Sequence, residues 1–408
     1  MIKFIKNTFI IFFILIIFTS KGFSQKSIII FKNDYSNNYM NYAIYDLIIK
    51  NIFLYSNLKI INSHSNYSSY NKIKSQIKKL TINNNANISI AYQIQNFKNG
   101  ILINYIIFDN EKPNEWIEKS AYSKEEDLFI SINKILKDIY EISKIKNKIT
   151  YIKEKDYISL LGYYSQKIIL TNNADNIYKL FYDFHKDNIY FNIDYLEYLT
   201  DKSDRTSVDI INDLINNMQN YINKKKNHYY LYSLGCMHYG KYKVNVILSD
   251  IEASIENYNK ALKLKNNYYK YYYRLANAYI LKNDYDNAIK YYEEAIKLNE
   301  YDINIIKEFV SLLKRDINKN GNEVISYLKK IIEINKNDQE ALEEISKLYE
   351  KIGDYDNALI YYNKLFEVIN YNLYIINNET KDADAYDRYI FKRNSIKLNI
   401  ESLKNKIF

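Results

Sequence analysis

The sequence predicts an α/β domain with a small mixed sheet, followed by an all-α helical solenoid. Three observations predict it. Residues 26–145 alternate short apolar runs of β type with amphipathic helical stretches. Residues 231–372 carry paired helices in which small residues recur at fixed spacing between large ones. Residues 269–302, YKYYYRLANAYILKNDYDNAIKYYEEAIKLNEYD, hold that spacing most cleanly. There Ala276, Ala288 and Ala295 let two antiparallel helices approach, and Tyr272, Leu275, Tyr279 and Tyr292 fill the gaps beside them.

Residues 1–24 read as a secretory signal peptide. Lys3 and Lys6 form a basic start, Phe9 to Phe18 is an unbroken apolar run, and Gly22 and Ser24 suit cleavage before Gln25. The run is shorter than the roughly 20 residues a membrane span needs. No cysteine follows it to carry a lipid anchor. The expectation is an exported protein, periplasmic or envelope-associated, that meets the membrane only if this segment stays uncleaved.

In the α/β part, residues 25–145, Ile28 to Phe31 read as a buried strand. Tyr39 to Ile52 forms a helix with Met40, Ile44, Leu47 and Ile48 on one face, and Leu58 to Ile61 is a second strand. A helix carrying Ile73, Ile77 and Leu80 comes next. Ile88, Ile90, Tyr92 and Ile94 then recur at every second position, the period of a strand. Asn99-Gly100 marks a hairpin into Ile101 to Phe108 because both residues tolerate positive φ. Trp116 to Tyr122 is a further strand. Ser123 and Glu126 form a capping box for a helix that buries Leu128, Ile132, Ile135, Leu136 and Ile139.

Residues 146–230 read as a helical connector or degenerate repeats, with helices at Tyr157–Leu170, Asn176–Phe184 and Val208–Ile222. Helical pairs occupy 231–372. Leu234-Gly235 opens one pair and Ser254, Tyr258 and Ala261 mark its second helix, with an insertion implied around Lys243–Ser249. A third pair uses Val310, Val324, Leu328 and Ile331, with extra residues near Asn320-Gly321. A fourth spans 339–372 with Leu342, Ile345, Ser346, Tyr349, Ala358, Tyr362 and Leu365. Residues 373–408 supply a capping helix with a charged outer face, which a solenoid needs at its end.

Two resemblances follow from these residues. The spacing of Tyr272, Leu275, Ala276, Tyr279, Ala288, Tyr292 and Ala295 resembles the tetratricopeptide repeat, and Ala358 and Tyr362 repeat it. Glu300, Lys336 and Asn370 stand where that repeat usually places a closing proline. Residues 27–142 resemble the TolB amino-terminal-like domain of bacterial envelope and signalling proteins. The match is carried by the opening IIIF, LKIINS, and FDNEKPNEWIEKSAYSKEEDLFISINKIL at 108–136, with Asp109, Trp116 and Asp127-Leu128-Phe129. The chain lacks the glycine usual in the acidic turn and the Pro-Phe step after the first strand.

Composition and motifs give no sign of catalysis. The chain has 46 Tyr, 7 Gly, 1 Pro and a net charge of +9, with Lys interleaved among Asp and Glu as on a solvated face. The tyrosines are spread along the whole chain, which reads as a compositional habit rather than a stacking surface. Lys224 to Lys226 is the only compact basic run, and nucleic acid is not an expected partner. The sequence contains no phosphate-binding, dinucleotide, zinc-protease, nucleophile-elbow or CxxC motif. Cys236, the only cysteine, could be joined with His228 and His238 around a metal, but the reading taken is packing as a small apolar group in a helix seam. Glu125-Glu126 and Glu293-Glu294 fit solvated helix faces. No catalytic residue, metal or cofactor is expected.

The resemblance to tetratricopeptide repeats implies a groove lined by first helices. Matching positions are Tyr273 and Asn277, then Lys307, Ser311 and Lys314, then Glu343 and Lys347. Lysines there would hold an acidic peptide. Likeness to the repeats that clamp peptide carboxylates is partial, since Tyr273 stands where a lysine is expected. The expected function is a protein-protein interaction scaffold for other envelope proteins or peptides. The alternative is a sensory module whose α/β domain binds a ligand that the repeats relay.

Overall fold

The protein's structure, a computed structural model, describes residues 26–31, 39–56, 58–61, 73–83, 86–97, 99–124, 126–144, 188–218, 227–380 and 382–407, with isolated positions between 152 and 182. The expected signal segment, the run Lys224 to Lys226, and nearly all of the helices expected at 157–170 and 176–184 lie outside them. The chain divides into two compact units, residues 1–274 and 275–408.

Strands that are apolar on both faces must be covered on both sides. β1 (Ser27–Ile30), β2 (Lys59–Ile61), β3 (Ile88–Phe97), β4 (Gly100–Asp109) and β5 (Trp116–Ser123) form one sheet in the order β2-β1-β3-β4-β5. β1 runs parallel to β2 and β3, whereas β3, β4 and β5 are antiparallel, so the sheet is mixed as the sequence predicts. α1 (Tyr39–Tyr55) joins β1 to β2, α2 (Ile73–Asn83) joins β2 to β3, and α3 (Leu128–Ile142) follows β5. Ile29, Phe31, Ala91, Ile106 and Phe108 pack with Ile77 of α2, and Leu80 and Trp116 close this cluster. On α3, Tyr140 donates to Asn51 of α1 at 2.8 Å, and Asp138 accepts from Tyr105 of β4 at 2.6 Å.

Two local expectations need correction. Gly100 pairs with Phe97 as the first residue of β4 rather than sitting in the turn. Its missing side chain makes room for Tyr122 and Ser123 of β5, since a Cβ would lie 2.6 Å from the Tyr122 hydroxyl. Ser123 does not cap α3. It belongs to β5, where its hydroxyl accepts from Ser131, and Asp127 stands at the helix start without a side-chain cap bond.

The first unit continues through α4 (Ile189–Lys202), α5 (Arg205–Met218), α6 (His228–Asn245) and α7 (Leu248–Leu264) into the start of α8 (Tyr269–Leu281). Gly235 and Tyr258 explain the tight α6–α7 contact: a Cβ on Gly235 would collide with the Tyr258 ring. Ser254 donates to the Gly235 carbonyl at 2.9 Å and the Tyr258 hydroxyl faces Cys236 Sγ at 3.5 Å. The surplus residues expected as an insertion around 243–249 instead lengthen both helices, to 18 and 17 residues.

Buried charge ties α1 to the later helices of this unit. Lys50 pairs with Asp46 at 2.6 Å and with Asp194 of α4 at 2.8 Å. Lys265, just past α7, donates to the carbonyls of Phe53 and Ser56 at 2.6 and 2.8 Å. Arg274 meets Glu197 at 3.0 Å and also Asp201, and Tyr232 donates to Glu197 at 2.6 Å. Burial pushes the Glu197 carboxyl upward, but Lys270, Arg274 and the Tyr232 hydroxyl outweigh it and hold the group below its ordinary range.

The second unit holds the rest of α8, then α9 (Tyr285–Leu298), α10 (Ile303–Leu313), α11 (Ile317–Ile334), α12 (Gln339–Lys351), α13 (Tyr355–Ile375) and α14 (Ala383–Ile407). The α8–α9 and α12–α13 pairs share their construction. Asp284 caps α9 through the Asn287 amide and Asp354 caps α13 through the Asn357 amide, each at 3.2 Å. Tyr279 stacks on Tyr291 at 5.4 Å, and Tyr349 stacks on Tyr361 at 5.8 Å. The middle pair differs: it turns through a 3-10 segment at Lys314–Asp316, which leaves Gly321 inside α11 rather than in a turn. Asn320 compensates by donating to the Leu313 carbonyl at 3.0 Å. α14 buries Ile396, Ile400 and Leu403, but its outer face also exposes Phe391 and Leu398, so it is not uniformly charged.

Candidate functional site

The repeat-defining residues sit where close packing needs them. Leu275, Ala276, Ala288, Ala295 and Ala358 are fully buried, and Tyr292 and Tyr362 nearly so. Tyr292 stacks on Phe309 of α10 at 5.6 Å. Tyr272 is only half-buried, with its hydroxyl on the Asn266 carbonyl at 3.0 Å. The fully buried ring is its neighbour Tyr271, which packs on Tyr232 at 4.6 Å. Sequence spacing missed Tyr271 because the repeat pattern assigns no large residue to that position.

The residues expected to line one groove do not all act together. Tyr273 lies in the first unit, with its ring over the Arg274 guanidinium at 5.3 Å. The Tyr292 hydroxyl lies within hydrogen-bond reach of two acceptors, Asn277 and, at 3.0 Å, Glu308, and can donate to one of them at a time. Of the others, Lys307 and Ser311 come from α10, Lys314 from the 3-10 turn after it and Lys347 from α12, and with α11 they enclose a cleft in the second unit that Glu343 does not line. Its larger part, about 460 Å³, is lined by Lys314, Val324, Leu328, Glu344, Lys347, Leu348 and Lys351. A smaller hollow of about 100 Å³ adjoins it, where Lys307, Ser311 and Glu340 stand over Val310 and Ile331. The floor is apolar because the helix faces that pack between repeats carry Val324, Leu328 and Ile331.

Charge on the rim is largely self-satisfied. Lys307 bridges Asp338 at 3.0 Å and Glu340 at 2.7 Å. Against the downward pull of burial, those carboxylates hold the Lys307 ammonium above the ordinary lysine range. Lys314 pairs with Glu344 at 2.6 Å, Lys347 with Glu343 at 2.5 Å, and Lys392 of α14 with Glu343 at 3.3 Å. Burial raises the Glu343 carboxyl, but these two lysines more than reverse it. A ligand therefore meets alternating pairs around an apolar floor, not a bare basic strip. The pairs of Lys307 and Lys314 span 30 residues or more and leave no local signal, whereas Lys347 and Glu343 are one helical turn apart.

A further hollow of about 650 Å³ lies between the second helices α11 and α13, where Lys329, Lys336 and Lys364 accompany Tyr361. Nothing in the repeat spacing points to it. Among the described residues no group of three or more His, Cys, Asp or Glu is placed to hold a metal ion. Cys236 is fully buried and burial pushes its thiol up to about 11, so it packs as an apolar group.

Residues 269–302 match the tetratricopeptide repeat family, and residues 339–372 match it again. The chain thus carries tetratricopeptide repeats at these two segments, α8–α9 and α12–α13. Among solved structures, one of MamA is 22% identical over 40% of this chain and 91% of that one, with a TM-score of 0.32. A second MamA structure is 20% identical over 49% of this chain and 96% of that one, with a TM-score of 0.33. YrrB, described as a TPR protein with an unusual peptide-binding site, is 16% identical over 46% of this chain and 89% of that one, with a TM-score of 0.29. No curated protein matches the sequence.

Proposed function

We propose that this chain is an exported envelope protein that assembles other envelope proteins by holding a segment of each in the α10–α12 cleft. The observation that carries the binding role is the cleft itself: in its larger part an apolar floor of Val324, Leu328 and Leu348 lies beside Lys314, Lys347 and Lys351, with Glu344 as the one acid lining that part. That chemistry suits a peptide with apolar anchors and acidic neighbours. Export rests on Lys3, Lys6 and the apolar run Phe9 to Phe18. The α/β part is taken as a TolB amino-terminal-like domain on the strength of Asp109, Trp116 and Asp127-Leu128-Phe129. The protein acts by binding and not as an enzyme.

The test is photo-crosslinking in the envelope of living cells. A photoreactive residue at the exposed groove position Ser311 should capture a partner that one at the exposed outer position Asn363 does not. Lys314→Glu combined with Lys347→Glu should abolish that capture. The same partners from both positions, or capture unaffected by the double variant, would remove the cleft as the binding surface.

A further inference from the structure

Antiparallel pairing sets the side chains of β3, β4 and β5 in rows across the sheet. On the face that meets α2 the rows run Ser89–Phe108–Trp116, Ala91–Ile106–Glu118, Gln93–Asn104–Ser120, Gln95–Leu102–Tyr122 and Phe97–Gly100. α2 covers the first two. Its Ile77 and Leu80 pack with Ala91, Ile106, Phe108 and Trp116, Thr81 meets the Ser89 hydroxyl at 2.7 Å, and Lys74 pairs with Glu118. The other three rows face water. Phe97 and Tyr122 are 56% and 57% exposed, Gln95 and Ser120 are exposed, and Gln93, Leu102 and Asn104 are half-buried.

These open rows hold two aromatic rings, three carboxamides and a hydroxyl, and no charged residue. Asn104 accepts from the Ser120 hydroxyl at 2.6 Å, which leaves its amide N–H groups as donors. The Tyr122 ring reaches over Gly100 against the sheet: a Cβ there would lie 2.6 Å from its hydroxyl and 2.7 Å from the ring carbon that bears it. Glycine weakens a strand, and here it clears the space that the ring occupies.

Charge decides what such a face can hold. An anionic lipid surface, a nucleic acid or an acidic peptide is drawn by cations, and these rows offer none. A second sheet packs on apolar faces, and it would bury Gln93, Gln95 and Asn104 without partners. An uncharged sugar meets both conditions. The C–H face of a pyranose packs on an aromatic ring, and its hydroxyls, each donor and acceptor, match carboxamides that offer both.

We propose that the open rows of β3, β4 and β5 bind a neutral oligosaccharide. Phe97 and Tyr122 stack on its sugar rings, and Gln93, Gln95, Asn104 and Ser120 pair with its hydroxyls. β4 lies between the strands that carry the two aromatic residues, which sets those strands about 10 Å apart. Touching both rings therefore takes more than one sugar unit. This goes beyond the scaffold reading and does not rest on it.

The test is isothermal titration calorimetry of the full chain with cellohexaose, which carries hydroxyls alone, and chitohexaose, which adds acetamido groups. At least one should bind, and the better of the two tells whether the acetamido group is read. Phe97→Ala and Tyr122→Ala should each weaken binding at least about fivefold. Both side chains are exposed, so circular dichroism should stay unchanged. Tyr371→Ala removes an equally exposed tyrosine on α13 and should leave binding as it was. The proposal is overturned if neither hexasaccharide binds at millimolar concentration, if Tyr371→Ala weakens binding as much as Tyr122→Ala, or if acidic polygalacturonate binds more tightly than both. It is also overturned if sedimentation shows a dimer that Phe97→Ala dissociates, which would assign the face to a second copy.

Discussion

The Lys265 ammonium lies 2.6 Å from the Phe53 carbonyl and stands over the Phe53 ring at 5.1 Å, so a residue after α7 completes the end of α1. Burial pulls Lys265 from 10.5 down to about 7. Burial, then the nearby Lys265 charge, takes His228 from 6.5 down to about 3, with the His228 Nδ1 2.7 Å from the Tyr271 hydroxyl. In both cases the unfolded chain binds the proton more readily than the folded one, so stability rises with pH across the interval between the two values. Stability should therefore fall on acidification in two windows, from 10.5 to about 7 through Lys265 and from 6.5 to about 3 through His228. Urea midpoints of the wild type and Lys265→Met, compared at pH 7 and 9, check the first window. The wild type should gain relative to the variant as pH rises, and parallel profiles would contradict it.

Ala288 is fully buried on the α9 seam, whereas Lys290 two residues on is exposed. Ala288→Asp buries a charge without a partner and should cost about 3 kcal/mol or more. Lys290→Asp should stay within about 0.5 kcal/mol. Thermal melts followed by circular dichroism separate the two, and equal small effects would mean that the seam does not run through Ala288.

Gly235→Ala tests the α6–α7 contact. The added methyl would strike the Tyr258 ring, held at its tip by Cys236, and overpacking of this sort costs about 1–3 kcal/mol. Gly321→Ala offers the contrast, because a Cβ there meets nothing within 4 Å, and a helix interior favours alanine over glycine by about 1 kcal/mol. Chemical denaturation should show loss for the first and gain for the second.

Lys307 and Lys347 should prove unequal although both line the groove side. Lys307 is bridged to Asp338, whose side chain also caps α12 by accepting from the Ala341 amide at 3.0 Å. Lys307→Glu sets a carboxylate against Asp338 and Glu340 and should cost about 1 kcal/mol, less at high salt. Lys347→Glu sets a carboxylate one turn from Glu343, which keeps Lys392, and as a single exposed helical pair it should cost about half that or less. For this reason Lys347 is the cleaner position for testing ligand capture, and equal costs would show that Lys307 has no structural duty.

What the sequence shows is what short range dictates. Alternation along Ile88, Ile90 and Tyr92 announces a strand, and β3 pairs over its whole length with β4. Ala276, Ala288 and Ala295 announce close-packed helices because only small residues permit the approach, and all are buried. What stayed hidden depends on residues distant in sequence. Lys265 meets Phe53 across 212 positions and Lys314 meets Glu344 across 30, and no periodicity encodes either. Ser123 has the residue type of a cap, but the demands of β5 pairing override it. Tyr271 and Tyr272 are indistinguishable by type, and their different burial follows from the aromatic neighbours that only the fold brings to Tyr271.

The dependence of α1 on later helices alters how the α/β half can exist. Lys50 needs Asp194, and the last turn of α1 needs Lys265, so the sheet and its helices share their buried polar groups with residues made much later. A fragment ending near residue 145, where the composition changes, would leave Lys50 with Asp46 but without Asp194, and the Phe53 and Ser56 carbonyls without their donor. As the chain emerges, the last turn of α1 would have to wait for more than a hundred residues past 145 before Lys265 reaches it. That end of α1 is thus open to water for the interval, and the late arrival of Lys265 is what seals it.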